Sequence, residues 1–197
     1  LVDRTDHYDL DTVFLSNSGA EAVENAIKIC YDASGGGKYG VTFDGAFHGR
    51  TLGALSLNRS KSVYRKRYPE VPGVHDVPYC DDRGCSPETC SCGFFVDDGD
   101  ASLLRKKLDP KTGHVNPEET SYIIMEPIQG EGGYRFPSES FMREVADLAA
   151  EHDIPLIADE IQSGMGRTGE LWGADHYPIE PDVITGAKGM RVGATIA

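Results

Sequence analysis

The sequence has little positive charge. Its 197 residues include 19 Lys and Arg against 32 Asp and Glu, which gives a formal net charge of −13. Nucleic-acid binding depends on basic surfaces that neutralise phosphates, and no basic stripe is present, so we expect no nucleic-acid partner. The acidic residues are scattered rather than gathered in a tail. They suit either an ordinary acidic enzyme or a protein of a salt-rich cytosol, where salt screens their repulsion.

Long hydrophobic runs are also missing. Mean hydropathy is −0.37, and no segment approaches the ~18 consecutive apolar residues that a membrane helix needs. The first residues show no basic region followed by an apolar one, so no secretory signal is visible. We therefore predict a cytoplasmic protein with no membrane partner. Because the chain starts at Leu1 rather than Met and stops at Ala197 inside an apolar run, we expect a fragment of a longer subunit.

Repeats and low-complexity segments are absent too, and short apolar strands alternate instead with amphipathic helices. Strands are predicted at residues 13–15, 39–43, 76–79, 122–125, 154–158 and 183–184. Helices are predicted from residue 20, over 101–108 and over 138–152. The alternation indicates an α/β fold with a mainly parallel sheet and flanking helices, and with functional residues at the carboxyl ends of the strands.

Several strands end in residues that can bind a charged ligand or react. Residues 18–20 open a helix whose free N–H groups suit phosphate, although Ser18 with Glu21 also matches a capping box. Asp159 follows an apolar strand and can pair with a cationic nitrogen, or act as a loop cap. Lys188 lies beside small and apolar residues, so it is either an amine nucleophile toward a carbonyl or a surface lysine.

A phosphate cradle, a carboxylate for a pyridinium nitrogen and a Schiff-base lysine are what pyridoxal 5′-phosphate requires. Over nearly its whole length the sequence resembles the class III, fold-type-I pyridoxal-phosphate aminotransferases, which include the 4-aminobutyrate, ornithine and acetylornithine enzymes. The motifs that carry the resemblance are, in order, FLSNSGAEAVENAIK, FDGAFHGRT, IIMEPIQGEGG, IPLIADEIQSGMGRTG and PDVITGAKGM. The resemblance implies that residues 1–197 are the large cofactor-binding domain, incomplete, with the N-terminal and C-terminal small-domain parts absent.

The resemblance also assigns cofactor-binding roles. Lys188 is expected to hold the cofactor as a Schiff base and to move the proton between cofactor and substrate, while Asp159 keeps the pyridine nitrogen protonated. Phe47 is expected to stack on the ring, unless it is a core aromatic. The further implied contacts are Ser18, Gly19 and Ala20 at the phosphate, His48 on the wall of the site, and Gln162 at the ring hydroxyl.

Three residues are expected to meet the substrates. Arg50 would bind a carboxylate in bidentate fashion, or form a structural ion pair. Glu126 would lie near the path of the incoming amine. Glu131 resembles the family's switch, which pairs with an arginine from the C-terminal part of the enzyme and admits an ω-amine and a 2-oxo acid in turn. The alternative for Glu131 is an ordinary loop carboxylate.

The implied reaction transfers an amino group from an ω-amino acid, of the 4-aminobutyrate or ornithine/acetylornithine type, to 2-oxoglutarate. Its partners would be these small amino and oxo acids, and a second copy of the chain in a homodimer or a higher homo-oligomer. Two alternatives stay open at this point. A racemase or epimerase of the same family keeps the same cofactor residues, and a non-catalytic metal-binding module would be built around the cysteines.

Four of the five cysteines fall in one loop, at about residues 80–93. Their spacing, C-x4-C-x4-C-x-C, differs from the paired C-x2-C of zinc knuckles. Four thiolates could hold a structural zinc ion, or the loop could carry free thiols, while a reducing cytosol disfavours a disulfide. The candidate metal ligands are Cys80, Cys85, Cys90 and Cys92, with His75 as a further candidate nearby.

Overall fold

The computed structural model describes residues 1–96 and 101–197, and its centre is a seven-stranded sheet. The strands are β1 (Val13–Ser16), β2 (Tyr39–Phe43), β3 (Val74–Val77), β4 (Phe95–Val96), β5 (Ala101–Ser102), β6 (Thr120–Met125), β7 (Leu156–Asp159), β8 (Val183–Gly186) and β9 (Gly193–Ile196). The α-helices are α1 (Gly19–Ala33), α2 (Leu52–Leu57), α3 (Ser62–Arg65), α4 (Leu103–Leu108) and α5 (Glu139–Glu151).

The strand order in the main sheet is β1-β9-β8-β7-β6-β2-β3. Strands β3, β2, β6, β7 and β8 are mutually parallel, whereas β9 runs antiparallel to both β8 and β1. The predicted α/β class with a mainly parallel sheet is therefore confirmed. Because β1 runs in the same direction as β8, its carboxyl end reaches the same edge of the sheet as the carboxyl ends of the parallel strands.

The core has two layers, one on each face of the sheet. Every residue of β6 is buried, and its side chains alternate between the layers, as a strand's two-residue period requires. Ile123 packs in the layer that contains α5, while Ile124 packs in the layer that contains α1 and α2. Helices on both faces bury the sheet and leave its carboxyl edge as the place where polar side chains gather.

Helix ends follow their capping residues closely. Ser18 caps α1 by accepting from the Glu21 N–H at 3.3 Å, and Ser138 caps α5 by accepting from the Phe141 N–H at 3.1 Å. The helix predicted over 138–152 is therefore found with its predicted cap. In α1 the carboxylate of Glu21 accepts from the Asn17 N–H at 2.7 Å, one residue earlier than the reciprocal bond of a capping box.

Some element boundaries differ from the prediction. The strand expected at 76–79 is β3, two residues earlier, and the helix expected over 101–108 gives its first two residues to β5, which pairs with β4. The strand expected at 154–158 starts at Leu156, because the Ile154 N–H still closes the end of α5 by donating to the Ala149 carbonyl at 2.8 Å. Strand β9 was not predicted at all.

None of the helices in the described ranges combines the length and the apolar character needed to cross a bilayer.

Candidate active site

Loops that leave β1, β2, β6, β7 and β8 meet at the carboxyl edge of the sheet around a cavity of about 560 Å³. That volume lies within the ~300–1,000 Å³ typical of small-molecule sites. All of the cofactor and substrate residues predicted from the sequence line this cavity: Ser18, Gly19, Ala20, Phe47, His48, Arg50, Glu126, Glu131, Asp159, Gln162 and Lys188. The fold thus brings together residues that are far apart in the chain.

Asp159, the last residue of β7, lies at the bottom of the cavity with only 3% of its surface exposed. His48 donates from Nδ1 to Oδ2 of this carboxylate at 2.7 Å, and the Ile161 N–H and the Thr185 hydroxyl donate to Oδ1 at 3.1 and 3.2 Å. A buried carboxylate with this many donors is held in one orientation. It is therefore fixed as an acceptor for a cationic group in the cavity.

The N-terminus of α1 forms the opposite wall. Gly19 and Ala20 are its first residues, so their N–H groups have no acceptor within the helix and face the cavity with the positive end of the helix dipole. A side chain at Gly19 would crowd Ile161, because a Cβ would lie 2.9 Å from the end of that side chain. The helix end therefore packs directly against the residue that follows Asp159 and Glu160.

Lys188 lies in the turn between β8 and β9, and its Nζ donates to Oε1 of Gln162. Both side chains line the cavity and are accessible from it. Gly130 packs against Gln162 from behind: a Cβ there would lie 2.2 Å from Nε2 of Gln162. Gln162 can take this position because Gly130 has no side chain. The position of Gln162 in turn fixes where the lysine amine rests.

Glu126 is buried at the end of β6 rather than at the mouth of the cavity. Its two carboxylate oxygens accept from the Phe47 N–H at 2.9 Å and the Gly130 N–H at 3.0 Å, so it joins the two loops that carry those residues. Burial, together with the nearby Asp159 charge, raises the pKa of Glu126 to about 7, although His48 opposes the shift. The side chain holds the wall of the cavity in place.

Glu131 lies near the mouth, where its carboxylate accepts from Lys61 Nζ at 2.7 Å and from the Tyr64 hydroxyl. These two donors lower the pKa of Glu131, so the carboxylate stays charged. The Tyr64 ring also touches the edge of Phe47 at a centroid distance of 5.3 Å and lies 5.6 Å from the Arg50 guanidinium. The resemblance pairs Glu131 with an arginine from the C-terminal part of the enzyme, and that pairing stays a prediction.

Other residues that shape the site were missed by the sequence reasoning. Asn58 accepts from the His48 N–H at 2.7 Å and donates to the Gly49 carbonyl at 2.8 Å, which fixes the loop between β2 and α2. Thr185 donates to Asp159 and lies directly opposite it in the pairing of β7 with β8. A polar residue in the apolar strand β8 was the signal in the sequence that could have identified it. Asn58 gave no local signal, because its partners are visible only in the folded loop.

The predicted metal ligands lie apart from this cavity. Sulfur atoms of Cys80, Cys85 and Cys92 all fall within 4.8 Å of one another, and Cys90 Sγ lies 3.3 Å from Cys92 Sγ. His75 does not join this group; its ring packs edge-on against Tyr39 at a centroid distance of 5.2 Å.

A sheet of this topology, with a helix N-terminus, a buried carboxylate and a lysine around one cavity at its carboxyl edge, defines the cofactor-binding domain of fold-type-I pyridoxal-phosphate enzymes. The donor set fits that cofactor, since the helix N-terminus would complement its phosphate and Asp159 its pyridine nitrogen. Residues 2–197 match the family described as "Aminotransferase class-III". The chain belongs to this family, whose cofactor is pyridoxal 5′-phosphate, and the predictions of family, fold and cofactor are confirmed.

Three proteins illustrate what this chain is similar to. The acetylornithine aminotransferase of Methanopyrus kandleri is 40% identical over 193 residues, which cover 96% of this chain and 42% of that protein. A Bacillus subtilis protein named "Probable 4-aminobutyrate aminotransferase" is 36% identical, over 96% of this chain and 42% of its own length. The lysine aminotransferase of M. tuberculosis superposes with a TM-score of 0.79 at 28% identity, covering all of this chain and 48% of that structure.

This chain therefore spans less than half the length of these relatives. The family assignment supports an enzyme of the class III aminotransferases. None of these relatives supports a racemase or a non-catalytic module.

Proposed function

We propose that the protein to which this chain belongs transfers the amino group of an ω-amino acid, of the 4-aminobutyrate or ornithine/acetylornithine type, to 2-oxoglutarate. The observation that carries the proposal is the convergence of three groups on one cavity: the α1 N-terminus, the buried Asp159 and the amine of Lys188. The names of the relatives support the class of donor. The acceptor rests on the family resemblance.

The residues divide the binding of the cofactor between them. Pyridoxal phosphate, when bound, accepts the electrons released as a substrate bond to the reacting carbon breaks. The N–H groups of Gly19 and Ala20 would hold the phosphate, and the Ser18 hydroxyl, which already caps the helix, lies beside them. Asp159, fixed by His48 and Thr185, would keep the pyridine nitrogen protonated. Phe47 would cover the ring.

Lys188 is the base that fits the reaction. Its Nζ is the amine on this wall of the cavity that can reach a bound carbonyl, and Gln162 holds it in position through a hydrogen bond. An amine beside the reacting carbon can take a proton from one carbon and return it to another, which contributes about 10²–10⁴-fold in rate. Transamination needs this proton transfer in both halves of its cycle.

The mouth of the cavity suits substrates with two charged ends. Arg50 is exposed there, and its guanidinium can bind a carboxylate in bidentate fashion. The Glu131 carboxylate, held by Lys61 and Tyr64, can attract the ammonium group of an ω-amino acid. When a 2-oxo acid with two carboxylates binds instead of the ω-amino acid, Lys61 and Arg50 would offer positive charge to the carboxylate farther from the reacting carbon.

A donor screen on the full-length protein tests the proposal. Purified protein with added cofactor is incubated with 2-oxoglutarate and, in turn, 4-aminobutyrate, ornithine and N-acetylornithine, and glutamate is measured. We expect glutamate to form with at least one donor and to require the oxo acid. Lys188→Ala should abolish turnover, while Lys28→Ala, an exposed lysine of α1, should leave it unchanged.

Three results would contradict the proposal: no glutamate with any ω-amine, equal turnover in Lys188→Ala, or a change of chirality in the amino acid without any oxo acid. The last would show a racemase. A homodimer and a cytoplasmic location stay predictions, and sedimentation of the full-length protein tests the first of them.

A further inference from the structure

The connection between β3 and β4, residues 78–94, is long and contains no helix or strand. Connections beyond about 12–15 residues without secondary structure are uncommon in compact domains, and those that are ordered need their own source of stability. This loop is nevertheless partly buried: Cys80 and Cys85 are 0% and 3% exposed, and Phe94 packs in the core beside Phe141. Something besides sheet hydrogen bonds must hold it.

Three sulfur atoms of the loop form a cluster, and a fourth lies against one of them. Those of Cys80, Cys85 and Cys92 are all within 4.8 Å of one another, and Cys90 Sγ is 3.3 Å from Cys92 Sγ. In a zinc site with four thiolate ligands, Zn–S bonds of about 2.3 Å place each pair of sulfurs about 3.8 Å apart. The sulfurs of Cys80, Cys85 and Cys92 are thus close enough to share one ion, and Cys90, whose sulfur lies against that of Cys92, needs only a small shift to become the fourth ligand.

The backbone supports the same reading. The Phe95 N–H donates to Cys90 Sγ at 3.4 Å, and such N–H···S bonds stabilise a thiolate and orient it toward a metal. A tight turn in which Cys85 N–H donates to the Asp82 carbonyl at 2.9 Å brings Cys80 and Cys85 to the same side of the loop. Phe94 anchors one end of the loop in the core, and the sulfur atoms gather in its middle.

We propose that Cys80, Cys85, Cys90 and Cys92 bind one structural Zn²⁺ ion, which fixes the connection between β3 and β4. Each thiol that coordinates the ion gives up its proton to solvent, so no oxidant or reductant is involved. None of these cysteines lines the cavity at the carboxyl edge. The metal site is therefore independent of the proposed aminotransferase activity, and either can fail without the other.

Metal analysis of the full-length protein tests the site. The protein is purified without chelators or a metal-affinity tag, and zinc is measured per chain by mass spectrometry. We expect one zinc ion per chain after dialysis. Cys90→Ala and Cys92→Ala are the informative variants because both residues are only half-buried, and each should weaken zinc binding by at least about 10²-fold. Cys30→Ala, on α1, removes a cysteine outside the loop and should keep the ion.

Cobalt gives a direct view of the ligands. Metal-free, reduced protein titrated with Co²⁺ should show the strong thiolate charge-transfer and ligand-field bands of a tetrahedral sulfur site, with one equivalent bound and with zinc displacing it. The proposal is overturned if the metal-free protein takes up neither ion, if iron instead of zinc is found, or if thiol titration of the unfolded protein shows a disulfide among these cysteines. Equal zinc in Cys90→Ala, Cys92→Ala and Cys30→Ala would also overturn it.

Discussion

The carboxyl edge of the sheet and the cysteine-containing loop, residues 78–94, are organised in opposite ways. At the carboxyl edge, the functional side chains lie on strand ends and on the loops that follow them, and the buried Asp159 is fixed by a hydrogen bond from Thr185 of β8. In the loop, no regular hydrogen-bond ladder is present, and its buried part combines core side chains such as Phe94 with a group of neighbouring thiols.

The difference shows what a functional site needs from its scaffold. Chemistry that depends on fixed distances between several groups benefits from strand ends, since their spacing is set by the sheet itself. A metal needs less, because its own coordination geometry positions the ligands and the chain has only to bring them near one another. Variants in the first region should therefore affect activity, and variants in the second should affect metal content.

The largest effect on activity, after loss of the lysine, is expected from Asp159→Asn. The amide keeps the shape and can still accept from His48, but it carries no charge to hold a proton on the pyridine nitrogen. We expect kcat to fall on the order of 10³-fold. We also expect the cofactor-free protein to bind pyridoxal phosphate more weakly. Steady-state kinetics and cofactor titration measure both quantities.

The matched control is Asp153→Asn, an exposed aspartate with a φ of 52° that asparagine adopts readily. It should behave like the wild type. If Asp159→Asn keeps its activity, or if both variants lose it equally, then the carboxylate at the end of β7 is not the group that sets this region apart.

The second prediction concerns stability. The pKa of Glu126 is about 7 in the folded protein against an ordinary value of 4.5, so the folded state holds this proton more tightly than the unfolded state. Ionisation therefore costs stability as pH rises from 4.5 to above 7, by on the order of 3 kcal/mol. Relative to Glu126→Gln, the wild type should lose this much free energy of unfolding over that range.

Denaturant unfolding of both proteins at several pH values measures the difference. Glu180→Gln, at an exposed glutamate, should show no such pH dependence relative to the wild type. If the difference in free energy of unfolding between the wild type and Glu126→Gln is constant across the range, then burial does not raise the pKa of this carboxylate.

The third prediction has the smallest expected effect. It compares a glycine of the carboxyl edge, Gly130, with a glycine of the loop, Gly84. Gly130→Ala adds a Cβ 2.2 Å from the flexible end of Gln162 and should push that side chain away from Lys188. Because the lysine is misplaced while the core stays intact, we expect kcat/KM to fall between about 10- and 10²-fold with little change in thermal stability.

In the loop, Gly84→Ala places its Cβ no closer than 3.4 Å to another atom, and activity should not change. If Gly130→Ala and Gly84→Ala have equal kcat/KM, the glycine behind Gln162 has no role in positioning the lysine.

The sequence allowed the elements of the parallel sheet to be predicted because buried strands contain short apolar runs with distinct ends, such as residues 122–125 within β6. It did not reveal β9, whose four residues, Gly193–Ile196, include no polar alternation and follow Lys188 after only a short turn. The start of β7 was also misplaced, since residues 154–155 are as apolar as a strand but precede it: the Ile154 N–H closes α5, and the Pro155 carbonyl accepts from the Ile123 N–H of β6. Local patterns cannot distinguish these cases from regular strands.

For the site, the motifs located every predicted cofactor and substrate residue on one cavity, but they could not show how these residues are held. Asn58 and Thr185 act through contacts that form only when distant segments meet. Glu126 illustrates the limit most clearly: its position in the motif was evident, whereas its function as a bridge between two backbone N–H groups depends on the folded loops.

Gly19 packs closely against Ile161, and this packing bears on the length of the ligands that the cavity can hold. The helix end that attracts an anion and the carboxylate that attracts a cation both line this cavity, and Ile161, two residues after the carboxylate, packs against the first residue of the helix. A ligand with opposite charges at its two ends is therefore selected by the distance between those charges.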